Sequence, residues 1–270
     1  MDRQYDSAFK KSHHRSLTIL RQFGFGKGIM ETRINAEVEE LVACVRELSG
    51  KSFYPDWPIA RSVMNVIGSI LFGRRFDRGD VRRDAFLQDV YTFVNTLWKV
   101  IPINMVPLLR FLPGFRGRLR RHVATHDRMM QFVRENVRRS LASADPTQSF
   151  AGCYRDQAGD DFDPSELEFI VRDLIVAGTE TSVSTIRWAL VTLANHRRVH
   201  SRVQRELDSV VPPDRLPSLD DRTKLPYLDA AILELMRRRT VAPLSVPRET
   251  ARDTQVGGYF VPAKTTVWLI

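Results

Sequence analysis

The chain has 270 residues, of which 43% are hydrophobic and 27% charged, so it can bury a sizeable core and lacks the composition of a disordered protein. Its net charge of +9 favours an acidic partner, an anionic membrane surface or nucleic acid, without choosing among them. Cys44 and Cys153 belong to no CxxC pair, which excludes the usual structural zinc site and a disulfide framework. No apolar run approaches the ~18 residues of a membrane span, and Met1 does not open a signal peptide.

The first part of the chain is predicted to form a series of helices. Hydrophobic periodicity indicates helices over residues 9–20, 30–48, 59–72, 84–100 and 117–143. Gly50 follows the second of them, where a helix is expected to end. Prolines at 102, 107 and 113 predict a loop after the fourth helix, and the polar stretch 145–161 predicts turns.

The second part begins with a long helix and ends in short strands. Asp163 and Pro164 form a typical helix start, and the helical pattern then runs to about Asn195. Such a helix would span roughly 45 Å, long enough to cross a whole domain. Further helices are predicted over 198–210 and 227–239. Short strands follow at 254–256, 259–261 and 265–270, the first two joined by a Gly-Gly turn.

The segment Ala177–Ser182 (AGTETS) breaks the helical pattern in the middle of the long helix. Glycine costs about 1 kcal/mol in a helix interior, and such breaks tend to mark functional sites. Gly178 would let a flat group approach the backbone, and Glu180 with Thr181 could relay protons to a bound ligand. The alternative is a glycine that only allows two helices to cross closely, with threonines that bond to local carbonyls.

Two further motifs follow along the chain. Glu234 and Arg237 share one helix face, and Arg248 follows a proline turn just before the strands. These residues could form one network, or Arg248 could bind a carboxylate. Alternatively, Glu234 and Arg237 form only a solvated ion pair, and Arg248 is an ordinary surface arginine.

The order of these motifs resembles that of cytochrome P450s, and most of all the animal microsomal family 2 enzymes. The resemblance includes Leu225–Ala230 (LPYLDA) before the ExxR motif, and Val246-Pro247-Arg248 after it. It extends to Leu20–Gly26, Phe72–Phe76 and Phe111–Gly114. It implies a mainly α, partial cytochrome P450 fold, with residues 1–270 as one partial domain from the C helix to the β region after the K helix.

The resemblance also implies roles for particular residues. Glu180 and Thr181 would deliver protons during oxygen activation, with Ala177, Gly178 and Thr181 over the haem face. Arg248 would reach a haem propionate, and Glu234 with Arg237 would form a buried structural network. The substrate pocket would be lined by Val176, Ala177, Val241, Leu244 and Val246, together with the helix over 84–100.

This sequence departs from the family pattern at two places. The usual Trp-x-x-x-Arg motif of the C helix is replaced by Phe9 and His13, and phenylalanine cannot donate a hydrogen bond to a propionate. The haem-ligand cysteine loop is expected beyond Ile270, and neither Cys44 nor Cys153 has its context. The chain is therefore expected to be an internal fragment without a metal ligand of its own.

The implied activity is that of a haem-thiolate monooxygenase that inserts one oxygen atom into an apolar substrate of the xenobiotic, fatty acid or steroid class. Haem b would be the cofactor, and NADPH would supply electrons through a flavoprotein reductase docked on the basic face of Lys10, Lys11 and Arg15. The expected location is the cytoplasmic face of the endoplasmic reticulum, with lipid contact near residues 116–121. The alternatives are a catalytically dead fragment and a nucleic-acid-binding helical protein.

Overall fold

A computed structural model describes residues 6–24, 28–243 and 245–268. Nine α-helices lie within these ranges: α1 (Ser7–Gln22), α2 (Gly28–Glu47), α3 (Asp56–Leu71), α4 (Val81–Met105), α5 (Pro113–Leu141), α6 (Phe150–Ala158), α7 (Pro164–Asn195), α8 (Arg197–Val210) and α9 (Pro226–Arg238). Short 3₁₀ helices occupy Pro107–Phe111, Pro146–Gln148, Gly159–Asp161 and Leu219–Lys224. The predicted mainly helical class is confirmed.

The chain divides into two compact units. We call Ile19–Arg187 the central unit, and Met1–Thr18 with Trp188–Ile270 the terminal unit. The central unit contains the main apolar cluster, whose largest fully buried side chains include Tyr154, Phe150, Ile19, Met64 and Leu71. Because these side chains come from α1, α3 and α6, that core joins segments far apart in the sequence.

Helix α7 presents a buried stripe with a four-residue spacing. Leu167, Val171, Ile175, Thr179 and Val183 are all buried. Side chains four residues apart lie on one helix face, so this stripe is the face that packs into the central unit. The helix begins as predicted, because the Asp163 carboxylate accepts a hydrogen bond from the Ser165 amide at 2.8 Å. With 32 residues it is about 48 Å long.

The terminal unit holds α8, α9 and the strands. The carboxylate of Glu206 on α8 accepts hydrogen bonds from the amides of Tyr227 and Leu228, at 2.9 and 2.7 Å. These two backbone N–H groups in the first turn of α9 would otherwise lack a partner within the helix. Strands β2 (Thr254–Val256) and β3 (Tyr259–Val261) pair antiparallel around Gly257 and Gly258, whose φ angles are both positive. The predicted hairpin is thus confirmed. Strand β1 (Arg248–Glu249) pairs antiparallel with β4 (Thr266–Val267).

Several predicted helix bounds differ from those observed, and the two clearest cases are at Pro102 and in the stretch 145–161. Helix α4 does not stop before Pro102 but continues through it to Met105, because a proline in the last turn removes only one backbone donor. The stretch 145–161 is not only turns. It contains α6, whose N-terminus is capped by Ser149, with Gly152 N donating to the hydroxyl at 3.0 Å. Phe150 and Tyr154 of α6 are fully buried, which a mainly polar composition conceals.

Within the part of the chain that the structure describes, none of the helices combines the length and apolar character needed to cross a membrane.

Candidate active site

The exposed face of α7 carries Ala177 and Thr181, one turn apart. The Thr181 hydroxyl donates to the Ala177 carbonyl at 2.6 Å, so the expected bond to a local carbonyl is present. The helix nevertheless continues unbroken from Pro164 to Asn195. A small side chain and a hydroxyl on an exposed helix face leave room for a flat ligand to lie against the backbone.

Gly178 faces a neighbouring helix. A Cβ atom added to it would lie 3.0 Å from Cδ1 of Ile67 on α3, which is a tight contact. This close approach supports the helix-crossing explanation for the glycine. The residues that border the exposed face are therefore Ala177 and Thr181, whereas Gly178 sets how closely α3 and α7 pack.

Glu180 is half-buried and lines a cavity with Asp56, Trp57, Tyr91 and Arg187. Burial raises the pKa of Glu180 above its ordinary value, because a charged carboxylate loses solvation, whereas Arg187 and a 3.5 Å hydrogen bond from Ser184 act in the opposite direction. A carboxyl group with a raised pKa holds a proton closer to neutral pH. This property suits a residue that donates protons.

Thr179 is a site residue that sequence reasoning missed. Its side chain is 2% exposed, and its Oγ1 has no hydrogen-bond partner among the described residues. Its position in the sequence could have revealed it, because Thr179 is the one hydroxyl residue in a four-residue series of apolar side chains. The other members are Leu167, Val171, Ile175 and Val183. A polar atom in an apolar stripe needs an explanation, because burial without a partner is unfavourable.

Glu234 and Arg237 form the predicted pair on α9. Two hydrogen bonds of 2.7 Å join the guanidinium of Arg237 to the carboxylate of Glu234, and they lower the pKa of that carboxyl. The pair is not buried in this structure, where the side chains of Arg237 and Glu234 are 71% and 52% exposed. Arg248 is exposed on β1. In this chain the two residues therefore form an exposed ion pair that no described segment covers, and the buried network stays an expectation for the complete protein.

The remaining predicted contacts are placed as follows. Phe9 and His13 stack on α1, with ring centroids 5.9 Å apart and an interplanar angle of 12°. Val176 packs against the core of the central unit, whereas Val241 and Val246 are 38% and 70% exposed. Leu244 lies outside the described residues.

The two cysteines do not have the setting of a haem ligand. Burial raises the pKa of the Cys153 thiol, with Asp156 and Asp145 acting in the same direction, and the thiol donates to the Thr147 carbonyl at 3.2 Å. A raised pKa disfavours the thiolate that iron requires. Cys44 lies on α2 in a cavity with Glu37, Glu40 and Arg61. The exposed Ala177–Thr181 face of α7 has room for a flat group such as a haem, but neither cysteine fits its axial ligand.

Comparison with known proteins identifies the family. The family model described as Cytochrome P450 matches residues 4–270. The chain belongs to the cytochrome P450 family. Its P450 relatives include Cytochrome P450 2F3 of Capra hircus (36% identical), 2F2 of Mus musculus (35%) and 2G1 of Oryctolagus cuniculus (32%), each aligned over 265 residues. These alignments cover 93–94% of this chain but 53% of each relative, so the chain spans about half the length of the P450s it matches.

A solved P450 structure supports the same fold. The structure titled "Zebra fish cytochrome P450 another structure with Progesterone" matches with a TM-score of 0.84 and 26% identity, over 98% of this chain and 62% of the other. The expected partial cytochrome P450 fold is therefore confirmed.

Proposed function

We propose that the complete protein is a haem-thiolate monooxygenase that inserts one oxygen atom from O2 into an apolar substrate. One observation carries this proposal. In a chain of the P450 family, Ala177 and Thr181 lie on an exposed face of α7, and the half-buried acid Glu180 lies next to them. When bound, haem b supplies the oxygen-activating chemistry, and the protein supplies position and electrostatics.

The residues of this chain would act in three ways. Ala177 leaves space for the haem face, and Arg248 offers a guanidinium for a propionate. The Thr181 hydroxyl donates a hydrogen bond toward the ligand side of α7 when it leaves the Ala177 carbonyl. Glu180, whose pKa is raised by burial, provides the proton that replaces the one passed on by Thr181. Phe9 and His13 occupy the positions of the family's propionate-binding tryptophan and arginine, and of the two only His13 can donate a hydrogen bond.

The substrate is proposed to be an apolar organic molecule. The P450 of zebrafish named above was solved with progesterone, and a steroid is a molecule of this class. The candidate contacts Val176, Ala177, Val241, Leu244 and Val246 are all small or medium apolar residues. They favour shape-based recognition of an apolar ligand over ion pairing.

Two docking surfaces are proposed for the complete protein. Lys10 and Lys11 are exposed on α1 and would attract an acidic, NADPH-dependent flavoprotein reductase, whereas Arg15 is 9% exposed and contributes less surface than expected. The segment around Pro107–Phe111 exposes Leu108 by 73% and Phe111 by 68%, close in sequence to the basic residues 116–121. Apolar and basic groups together suit an anionic lipid surface, and we propose that this surface is the cytoplasmic face of the endoplasmic reticulum.

A spectrum of the reduced protein with carbon monoxide tests the proposal. The complete protein, expressed with haem, should give the Soret band that is typical of thiolate ligation. The 270-residue chain should give none, because neither Cys44 nor Cys153 has a suitable setting. A complete protein without this band would overturn the monooxygenase proposal in favour of a catalytically dead protein.

A further inference from the structure

Thr240 follows three consecutive arginines at the end of α9. It is the only serine or threonine in the sequence with an arginine or lysine both two and three positions before it. Thr240 and the arginines at 237–239 are all exposed. Helix α9 ends at Arg238, and the described residues 239–243 and 245–247 form neither helix nor strand. The hydroxyl therefore lies in an accessible connection, directly after a block of positive charge.

Ser140 is the other hydroxyl residue that directly follows two arginines, Arg138 and Arg139. It is 4% exposed, and its hydroxyl donates to the Ser149 hydroxyl at 2.7 Å. A buried hydroxyl cannot reach the active site of a modifying enzyme. Ser140 therefore serves as an internal control for Thr240, since the two differ in burial as well as in the number of arginines before them.

The arginines before Thr240 are held by weak contacts. Arg237 pairs with Glu234 at the surface, and the guanidinium of Arg239 lies 4.4 Å from the ring centroid of Trp188. An exposed ion pair contributes about 0–1 kcal/mol, an exposed cation–π contact contributes about as much, and helix ends open at little cost in free energy. Because guanidinium groups form paired hydrogen bonds with carboxylates, these side chains suit an enzyme groove that is lined by acids.

A phosphate on Thr240 would change the contacts at the end of α9. The Thr240 hydroxyl now donates to the Met236 carbonyl at 3.1 Å, a bond that a phosphorylated oxygen cannot make. An anion is also unfavourable next to the free carbonyls at a helix C-terminus. Arg237 precedes Thr240 by three positions, a spacing that brings side chains together on a helix. A phosphate of charge about −2 would therefore compete for Arg237 with the singly charged Glu234.

We propose that Thr240 is a phosphorylation site for an ATP-dependent protein kinase with an acidic substrate groove, and that the phosphate takes Arg237 from Glu234. Oγ1 of Thr240 bonds to the γ-phosphorus of ATP while the bond from that phosphorus to the ADP oxygen breaks. The hydroxyl proton passes to a base of the kinase, and ADP leaves. The end of α9 thereby exchanges a carboxylate–arginine pair for a phosphate–arginine pair. This proposal does not depend on the monooxygenase activity proposed above.

Phosphopeptide mass spectrometry of the 270-residue chain tests the site. The chain is incubated with ATP and cyclic-AMP-dependent protein kinase as the acidic-groove enzyme. We expect one phosphoryl group on the peptide that contains residues 240–248, and fragmentation should assign it to Thr240 and not to Ser245. Arg238→Gln should slow the reaction by about tenfold, the effect of losing one charge-assisted hydrogen bond. Arg205→Gln is the matched control, because it removes an exposed arginine of the same unit.

Phosphate on other residues alone, an unchanged rate in Arg238→Gln or equal slowing in Arg205→Gln would overturn the site. Circular dichroism checks that each variant is folded. Nuclear magnetic resonance then follows the Glu234 carboxyl, whose pKa Arg237 now lowers, so its midpoint should rise when Thr240 is phosphorylated. The rise should be smaller in Arg237→Gln, where the pair is already absent. An unchanged midpoint, or an equal rise in Arg237→Gln, would overturn the exchange of partners.

Discussion

The Thr181 hydroxyl and the Ala177 carbonyl are joined by a 2.6 Å hydrogen bond on the exposed face of α7. Thr185 makes the same bond to the Thr181 carbonyl at 2.8 Å, one turn further along. The two threonines therefore have similar local geometry, but only Thr181 adjoins Glu180 and the proposed haem face.

The first prediction compares substitutions at Thr181 and Thr185. In the complete protein, Thr181→Ala should lower product formation per electron consumed by on the order of 10²-fold, because the proton-relay hydroxyl is lost. Thr181→Ser should retain most of the coupling, and Thr185→Ala should change it little. Product and hydrogen peroxide are measured against NADPH consumed. A comparable loss in Thr185→Ala would mean that helix structure, not proton transfer, is responsible.

The second prediction concerns two helical glycines. A Cβ at Gly68 would lie 2.6 Å from the ring of Phe76, whereas one at Gly117 would meet nothing within 4 Å. Gly68→Ala should therefore lower the free energy of unfolding by about 1–3 kcal/mol through overpacking. Gly117→Ala should raise it by up to about 1 kcal/mol through helix propensity. Urea denaturation measures both, and a stabilised Gly68→Ala variant would contradict the packing at Phe76.

The third prediction concerns a buried polar network between α2 and α3. Asn65 donates from Nδ2 to the Glu37 carboxylate at 3.1 Å and accepts from the Phe76 amide at 3.2 Å. Asn65→Ala should cost about 2–3 kcal/mol, because it leaves two buried groups without this partner. Asn95→Ala is the control, since Asn95 bonds to the Tyr91 carbonyl at an exposed position. Equal urea midpoints for the two variants would show that the network contributes nothing.

The fourth prediction concerns pH. Burial lowers the pKa of His122 below 6.5, and His126 lowers it further. The unfolded chain then binds a proton more readily than the folded one, so stability should be fully present above pH 6.5 and decrease as pH falls through the folded pKa. Nuclear magnetic resonance should give a midpoint for His122 below 6.5. His122→Gln should remove this part of the pH dependence. A midpoint above that value would contradict the burial of the ring against Phe93 and Thr96.

The fifth prediction separates the chain from the complete protein. Because the Glu234–Arg237 pair is exposed here, Glu234→Gln should leave the thermal midpoint of the 270-residue chain nearly unchanged. In the complete protein we expect the pair to be covered, so the same change should reduce haem content. Asp229→Asn is a control for a second ion pair of α9, which links Asp229 to Arg222. A large destabilisation of the short chain would show that Glu234 already has a structural role in it.

The sequence predicted those features that depend on local chemistry. Asp163 with Pro164, and Gly257 with Gly258, specify a helix start and a turn through backbone geometry alone, and both were found. Helix α6 was missed because its burial depends on residues far away in the sequence. Thr179 was missed for the same reason, since only the fold shows that its hydroxyl is buried without a partner among the described residues. The exposure of Glu234 and Arg237 likewise depends on which segments cover α9.

The four-residue stripe on α7 limits how this segment can evolve. Inserting or deleting one residue between Val171 and Thr179 would rotate everything after it by about 100° relative to the core. Val183 would then leave its buried place, and Thr181 would no longer lie on the open face. We therefore expect natural variants to differ here by replacement and never by length.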